Sequence, residues 1–236
     1  MSNIPEADDF KAIPLTQMRR AIGTRMTEAK RAIPHFRLVA DMEVDRLLEW
    51  RKELLASGSA PKVSVTDLLI KLCAMALMDE PAVNIQWAET EIRQFATADI
   101  ALVMAVEGGV STPVIRHANL KSIAEIAREA RELAQRARAK TLKVSEIVGG
   151  SFSISNLGMF GIDQFDAVIN APQCAILALG AAKPSVVATP QRGTRVATVM
   201  TATLSCDHRA IDGVTGARFL TALRARIGSP DQLKQG

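Results

Sequence analysis

The sequence predicts an α/β protein, a two-layer sandwich in which a mixed or antiparallel sheet is backed by helices on one side. Three observations carry that expectation. Apolar residues recur at helical spacing in several long segments and in alternation in several short ones, in an irregular order. Neighbouring β-prone runs are often joined by short turns, which favours a mixed or antiparallel sheet. No internal repeat and no G-x-G-x-x-G fingerprint points instead to a doubly wound dinucleotide fold. With 48% apolar and 23% charged residues, the 236-residue chain can bury one substantial core. No Pro-, Ser- or charge-rich linker divides it, so a lead-in over 1–13 and a single domain over 14–236 are expected.

The elements follow in order. Thr16 is placed to cap a first helix, TQMRRAIGTRMTEAKRA, in which Met18, Ile22, Met26 and Ala29 share a face opposite Arg19, Arg20, Arg25, Lys30 and Arg31. Pro34 ends it. In HFRLVADMEV, Phe36, Leu38 and Ala40 alternate with polar partners as in a half-buried strand, with His35 capping or packing at its start or, as the alternative, serving the substrate side. A helix over 44–56 offers Leu47, Leu48 and Trp50 for burial, and 57–62 is its loop. Ser64 opens a mostly buried helix, with Asp67 at capping-box spacing and Pro81 closing it.

Strands are expected at VNIQWA, EIRQFA and DIALVMAV, then a glycine-rich connection over 107–113. His117 precedes the cleanest helix, 122–140, with a Ser122–Glu125 capping box and an Ile123, Ile126, Ala130, Leu133, Ala137 stripe. SFSIS reads as a strand and NLGMFG as a turn that exposes Met159 and Phe160. CAILALGAA reads as a buried strand. A hairpin turn at PQRG leads into a long strand, 195–204, and a helix over 214–227 follows the corner between them.

Composition removes several functions. A formal charge of +4, from 29 basic and 25 acidic residues interleaved along helices, is compatible with a polyanionic substrate and gives no basic, aromatic-flanked stripe for nucleic acid. Seven Phe, two Trp and no Tyr leave little for a base-stacking platform. Cys73, Cys174 and Cys206 form no CxxC pair and read as reduced thiols, with no zinc site. No apolar run approaches the ~20 residues that span a bilayer, so no membrane partner is expected. The polar start, MSNIPEADDFK, resembles neither a secretory signal nor a transit helix, which favours a bacterial cytoplasm, with the mitochondrial matrix after processing as the alternative.

The chemistry concentrates in TLSCDHRAIDG, residues 203–213, between the long strand and the last helix. His208 has an imidazole with an ordinary pKa of about 6.5, the usual neutral-pH proton acceptor. A metal site is weakly supported, because HRAID is not HExxH and no second histidine is near. A serine-hydrolase triad would need a G-x-S-x-G elbow, which is absent. What remains is a satisfied structural histidine or a base without a nucleophile of its own. Such a base would activate a substrate thiol of pKa about 8.5. Direct acyl transfer between two substrates fits, given a donor for the oxyanion. Ser155, at the end of SFSIS, is read either as a turn hydroxyl or as a group facing a cleft.

These residues carry a family resemblance. Asp207, His208, Arg209, Asp212 and Gly213 complete the DHRxxDG signature of the dihydrolipoamide acyltransferase (E2) components of 2-oxo acid dehydrogenase complexes. SFSISNLGMFGIDQFDAVINAPQCAILALG looks most like the acetyl-transferring, pyruvate dehydrogenase branch. MRRAIGTRM, IPHF, VSVTDLLIKLCAMAL and STPVIRHA follow the family in order, so the resemblance runs from about residue 12 to the end. EGGVSTPVIR departs mildly from the family's usual run, which bears on the acceptor side.

The resemblance implies a chloramphenicol acetyltransferase-like fold and transfer of an acetyl group between a dihydrolipoyl group and coenzyme A. Succinyl or branched acyl transfer, or a non-catalytic scaffold, are the alternatives. It implies His208 as general base, Ser155 as oxyanion donor and Asp212 as the residue that orients the site. An arginine near the N-terminus is implied as partner of Asp212, with Arg20 the first candidate beside Arg19 and Arg25. Homotrimers that build a larger core are implied, with the histidine and serine of one site on neighbouring chains. No lipoyl or peripheral-subunit-binding domain is recognisable in this sequence. The lipoyl group is therefore expected on another domain or chain, with the complex's dehydrogenase components as further partners.

Overall fold

In a computed structural model, which describes residues 10–58 and 62–235, the chain alternates helices and strands much as the periodicities require. Helix α1 (Gln17–Ala32) is capped by the Thr16 hydroxyl and leads into β1 (His35–Glu43). Helices α2 (Asp45–Ala56) and α3 (Val65–Asp79) follow, then β2 (Ile85–Ala88), β3 (Glu91–Gln94) and β4 (Ile100–Val106). Two short strands, β5 (Gly109–Ser111) and β6 (Val114–Ile115), precede α4 (Ile123–Arg138) and the single turn α5 (Val144–Ile147). The chain closes with β7 (Phe152–Asn156), β8 (Ala175–Leu179), β9 (Lys183–Ala188), β10 (Thr194–Asp207) and α6 (Gly213–Gly228). Both expected capping boxes form, Ser64 with Asp67 and Ser122 with Glu125. The lead-in lies mostly outside the described residues.

The sheet is mixed, in the order β1-β10-β8-β7-β4-β5, with β6 also on β4 and β9 also on β10. Strand β10 is antiparallel to β1, β8 and β9, whereas β7 runs parallel to both β8 and β4, and β4 is antiparallel to β5 and β6. One face is covered by α2, α3, α4 and α6. Alternate residues of the strands, such as Phe152, Ile154, Leu177 and Leu204, enter a single apolar core there with Leu69, Leu72, Phe219 and Leu223. The other face carries a smaller cluster, in which Ala29 and Ile33 at the end of α1 pack with Ile176 and with Ile169 of the connection before β8. Of the α1 stripe, only Ala29 is buried.

Two segments differ from expectation. The glycine-rich connection over 107–113 contains a strand, because Gly108 takes a left-handed φ of 87° and lets β5 fold back on β4. The long strand runs three residues further, to Asp207, because Ser205 and Cys206 pair with β1 on one side and β8 on the other, while Asp207 pairs with His35. Ladder hydrogen bonds on both sides outweigh the weak strand preference of those polar residues. The corner therefore begins at His208. No helix among the described residues is long and apolar enough to cross a membrane.

Candidate active site

The corner is rigid by construction. Asp207, buried at the end of β10, accepts the Arg209 amide at 3.0 Å, and its carboxylate takes a bidentate pair from the Arg209 guanidinium. That guanidinium lies 4.7 Å over the Trp87 ring. Asp207 and Arg209 are thus committed to each other and hold the turn. His208, between them, projects outward. Its amide donates to Pro34 O at 3.1 Å, and its ring packs against Phe36 with centroids 4.4 Å apart. Neither ring nitrogen has a hydrogen-bond partner among the described residues.

Asp212 caps α6. Its carboxylate accepts the Thr215 amide at 2.7 Å, and Thr215 holds the carboxyl below the usual carboxylate range, first through that amide and then through its side chain. Among the described residues it makes no hydrogen bond or ion pair to His208 or to an arginine, although the nearby charge of Arg218 also lowers its pKa. Arg20 donates to Leu15 O and Arg25 to Ala171 O. The capping role was accessible in the sequence, since an Asp directly before a helix is a preferred N-cap.

Ser155 lies elsewhere. It is 6% exposed near the end of β7, on the face turned away from the helix layer, and its hydroxyl has no partner among the described residues. It borders a cavity of about 390 Å³ whose walls are mainly apolar, including Leu102, Met104, Val110, Met159 and Phe160. The exposed positions of Met159 and Phe160, 73% and 66%, agree with the turn read from NLGMFG. Asn156, beside Ser155, is fixed by donating to Thr66 Oγ1 at 3.1 Å and accepting the Gly158 amide.

The register sets the distance between the two groups. Ser155 pairs with Ala178, which pairs with Thr203, so the three lie in one row across β7, β8 and β10. His208 is five residues past Thr203. At about 3.3 Å per residue and 4.8 Å per strand, His208 and Ser155 of one chain are roughly 20 Å apart. One chain cannot bring the imidazole and the hydroxyl to the same atom.

The nearby thiols do not supply a nucleophile. Cys206 and Cys174 are both buried and each is pushed up to about 12, chiefly by burial. Both therefore stay protonated near neutrality. Phe36, read from sequence only as a packed strand residue, is the neighbour of the imidazole that periodicity could not reveal.

The family description "2-oxoacid dehydrogenases acyltransferase (catalytic domain)" matches residues 7–234. The dihydrolipoyllysine-residue acetyltransferase component of the Rickettsia felis pyruvate dehydrogenase complex is 41% identical over 94% of this chain and 55% of its own length. The chain thus spans about half the length of the curated relatives it matches. The cubic core of a pyruvate dehydrogenase multienzyme complex superposes with a TM-score of 0.90 at 28% identity, covering 99% of both chains. The Azotobacter vinelandii dihydrolipoamide acetyltransferase gives 0.90 at 27% identity, again over 99% of both; a serine, a histidine and an asparagine have been investigated for their role in its catalytic mechanism. Chloramphenicol acetyltransferase, with a TM-score of 0.53 and 12% identity over 92% of this chain and 99% of its own, shares the fold.

Proposed function

This chain belongs to the catalytic domains of the 2-oxoacid dehydrogenase acyltransferase family, and we propose that it transfers an acetyl group between a dihydrolipoyl sulfur and the thiol of coenzyme A, as the core of a pyruvate dehydrogenase complex. His208 takes the proton from the coenzyme A thiol as that sulfur attacks the thioester carbonyl of S-acetyldihydrolipoamide. The ordinary pKa values of imidazole and thiol differ by only about two units, so the transfer needs no metal. Ser155 donates its hydroxyl proton in a hydrogen bond to the oxyanion of the tetrahedral intermediate. When the bond to the dihydrolipoyl sulfur breaks, His208 returns the proton to that sulfur. Asp212 orients the site by capping α6 and so fixing the turn that carries His208. It stands four residues after the histidine, where the Azotobacter mechanism invokes an asparagine.

One observation carries this reading. The imidazole and the hydroxyl have no hydrogen-bond partner among the described residues and are roughly 20 Å apart in one chain, so each is half of a site. A homotrimer in which His208 of one chain meets Ser155 of the next completes it, and the half-exposed apolar stripe of α1 with Met159 and Phe160 supplies surface for that contact. The same boundary would bring an arginine of α1, Arg20 first, to Asp212. The trimers build a larger core, and the lipoyl group arrives on a lipoyl domain in trans. The apolar cavity beside Ser155 suits an aliphatic arm such as pantetheine or lipoamide. The dehydrogenase components are further partners, and a bacterial cytoplasm or the mitochondrial matrix is the compartment.

The test mixes the purified chain with dihydrolipoamide and acetyl-, succinyl- and branched acyl-coenzyme A, recording rates and particle mass. Acetyl preference in a multimeric particle supports the reading. Succinyl or branched preference reassigns the substrate, and a large inert particle makes the chain a scaffold.

A further inference from the structure

The sequence placed His35 at a strand start, capping or packing there, with a role on the substrate side as the alternative. Its ring is instead bonded at both nitrogens. Nδ1 lies 2.9 Å from Ile33 O, and Nε2 lies 3.1 Å from the Ile169 amide nitrogen. A carbonyl only accepts and an amide N–H only donates. Nδ1 must therefore carry the proton and Nε2 the lone pair, which is the neutral Nδ1–H tautomer. A second proton on Nε2 would point an N–H at the Ile169 N–H and cancel that bond.

The two ends of this link belong to the two halves of the site. Ile169 is buried against Ala29, Ile33 and Ile176 and anchors the connection between β7 and β8. That connection starts from the Ser155 strand with Met159 and Phe160 and crosses β8 so closely that a Cβ on Gly180 would stand 1.9 Å from Asp163 O. On the other side, His35 lies between Pro34, whose carbonyl holds the His208 amide, and Phe36, whose ring packs on the His208 imidazole. His35 is also the register partner of Asp207.

We propose that His35 is a positioning residue that, through its Nδ1–H tautomer, ties the His208 corner to the segment covering the Ser155 face. Lys30 of α1, the Arg37–Asp166 ion pair, Asp207, which is committed to Arg209, and His208 surround the ring, and none of them bonds it. The tie therefore consists of the bonds to Ile33 and Ile169. The effect on turnover rests on the acyl-transfer reading; the tie itself does not.

Amide hydrogen exchange at constant pH tests the tie without reference to activity. In H35A, protection of the peptide containing Ile169 should fall roughly fivefold or more, the scale of one lost hydrogen bond. In H35Q, whose side-chain amide has an acceptor for Ile169 and a donor for Ile33, protection should return. Equal protection in H35A and the wild type overturns the proposal. For acetyl transfer, H35A should lower kcat several-fold with little change in KM, and H35Q should restore it. Unchanged kcat in H35A, with protection of Ile169 lost, refutes the coupling to His208. Loss of protection in H35A, beside a wild-type chain that transfers no acetyl group, would overturn the proposed function and leave the tie standing.

Discussion

Two inactive variants should restore each other when mixed. H208A keeps Ser155, and S155A keeps His208. Within one chain the two residues are roughly 20 Å apart, set by five residues along β10 and two strand spacings, whereas base and oxyanion donor must each come within about 3 Å of one reacting group. If every site takes His208 from one protomer and Ser155 from the next, a random one-to-one mixture builds an intact site whenever an S155A chain supplies the histidine and an H208A chain the serine. With independent neighbours that happens at about one quarter of the interfaces, the heterologous geometry of a ring. Removing an oxyanion donor alone costs about 10²–10³ in kcat, so the mixed particles should stand far above either parent. The assay is acetyl transfer from acetyl-coenzyme A to dihydrolipoamide, after co-unfolding and reassembly of the two variants at several ratios. Activity that stays at the level of the parents at every ratio would refute the shared site.

Other perturbations follow from the same geometry. S155A alone should lower kcat by about 2.7–4 kcal/mol in barrier with little change in KM, since the hydroxyl acts on charge that develops only in the transition state; a pure KM effect would return Ser155 to packing. D212N should retain most activity, because Asn caps a helix as well as Asp, whereas D212A should loosen α6 and lower turnover; circular dichroism and kcat together check this, and equal effects of both variants would point to charge rather than capping. The Asp212 carboxyl is depressed below its ordinary 3.8, so its cap is complete above that value and is lost only as pH falls through the lower folded value. Acid titration of D212N beside the wild type should accordingly show no difference near neutrality. G180A sets a Cβ against the Asp163 backbone, an overpacking that should cost about 1–3 kcal/mol and lower the melting temperature; an unchanged melting temperature would mean that the crossing segment yields freely.

Much of the molecule was legible because its signals are local. Ser64 with Asp67, and Ser122 with Glu125, mark helix starts through residues three apart, and both boxes form. The PQRG turn and the alternation of Phe36, Leu38 and Ala40 are equally short-range. What escaped depends on pairing between distant segments. Nothing local in GGVS distinguishes a strand from a loop until β4 is present to pair with it. Ser205, Cys206 and Asp207 looked like part of a turn and are strand because β1 and β8 flank them. For the site, the corner and its exposed histidine stood out by composition, whereas the Phe36 contact and the distance to Ser155 are consequences of register. The apolar stripe of α1 was legible from its spacing, but the exposure of Met18 was not, because a periodic stripe states that a face needs covering and not which chain covers it.

Direct transfer between two thiols leaves no acetyl group resting on the chain. Intact mass of both proteins, after the chain is mixed with acetyl-coenzyme A and a reduced lipoyl domain supplied in trans, tests this. The lipoyl domain should gain one acetyl group, the chain's mass should be unchanged at every time point, and H208A should lose the transfer. A chain that carries the acetyl group itself, or a lipoyl domain that stays unmodified beside an assembled wild-type particle, would contradict it.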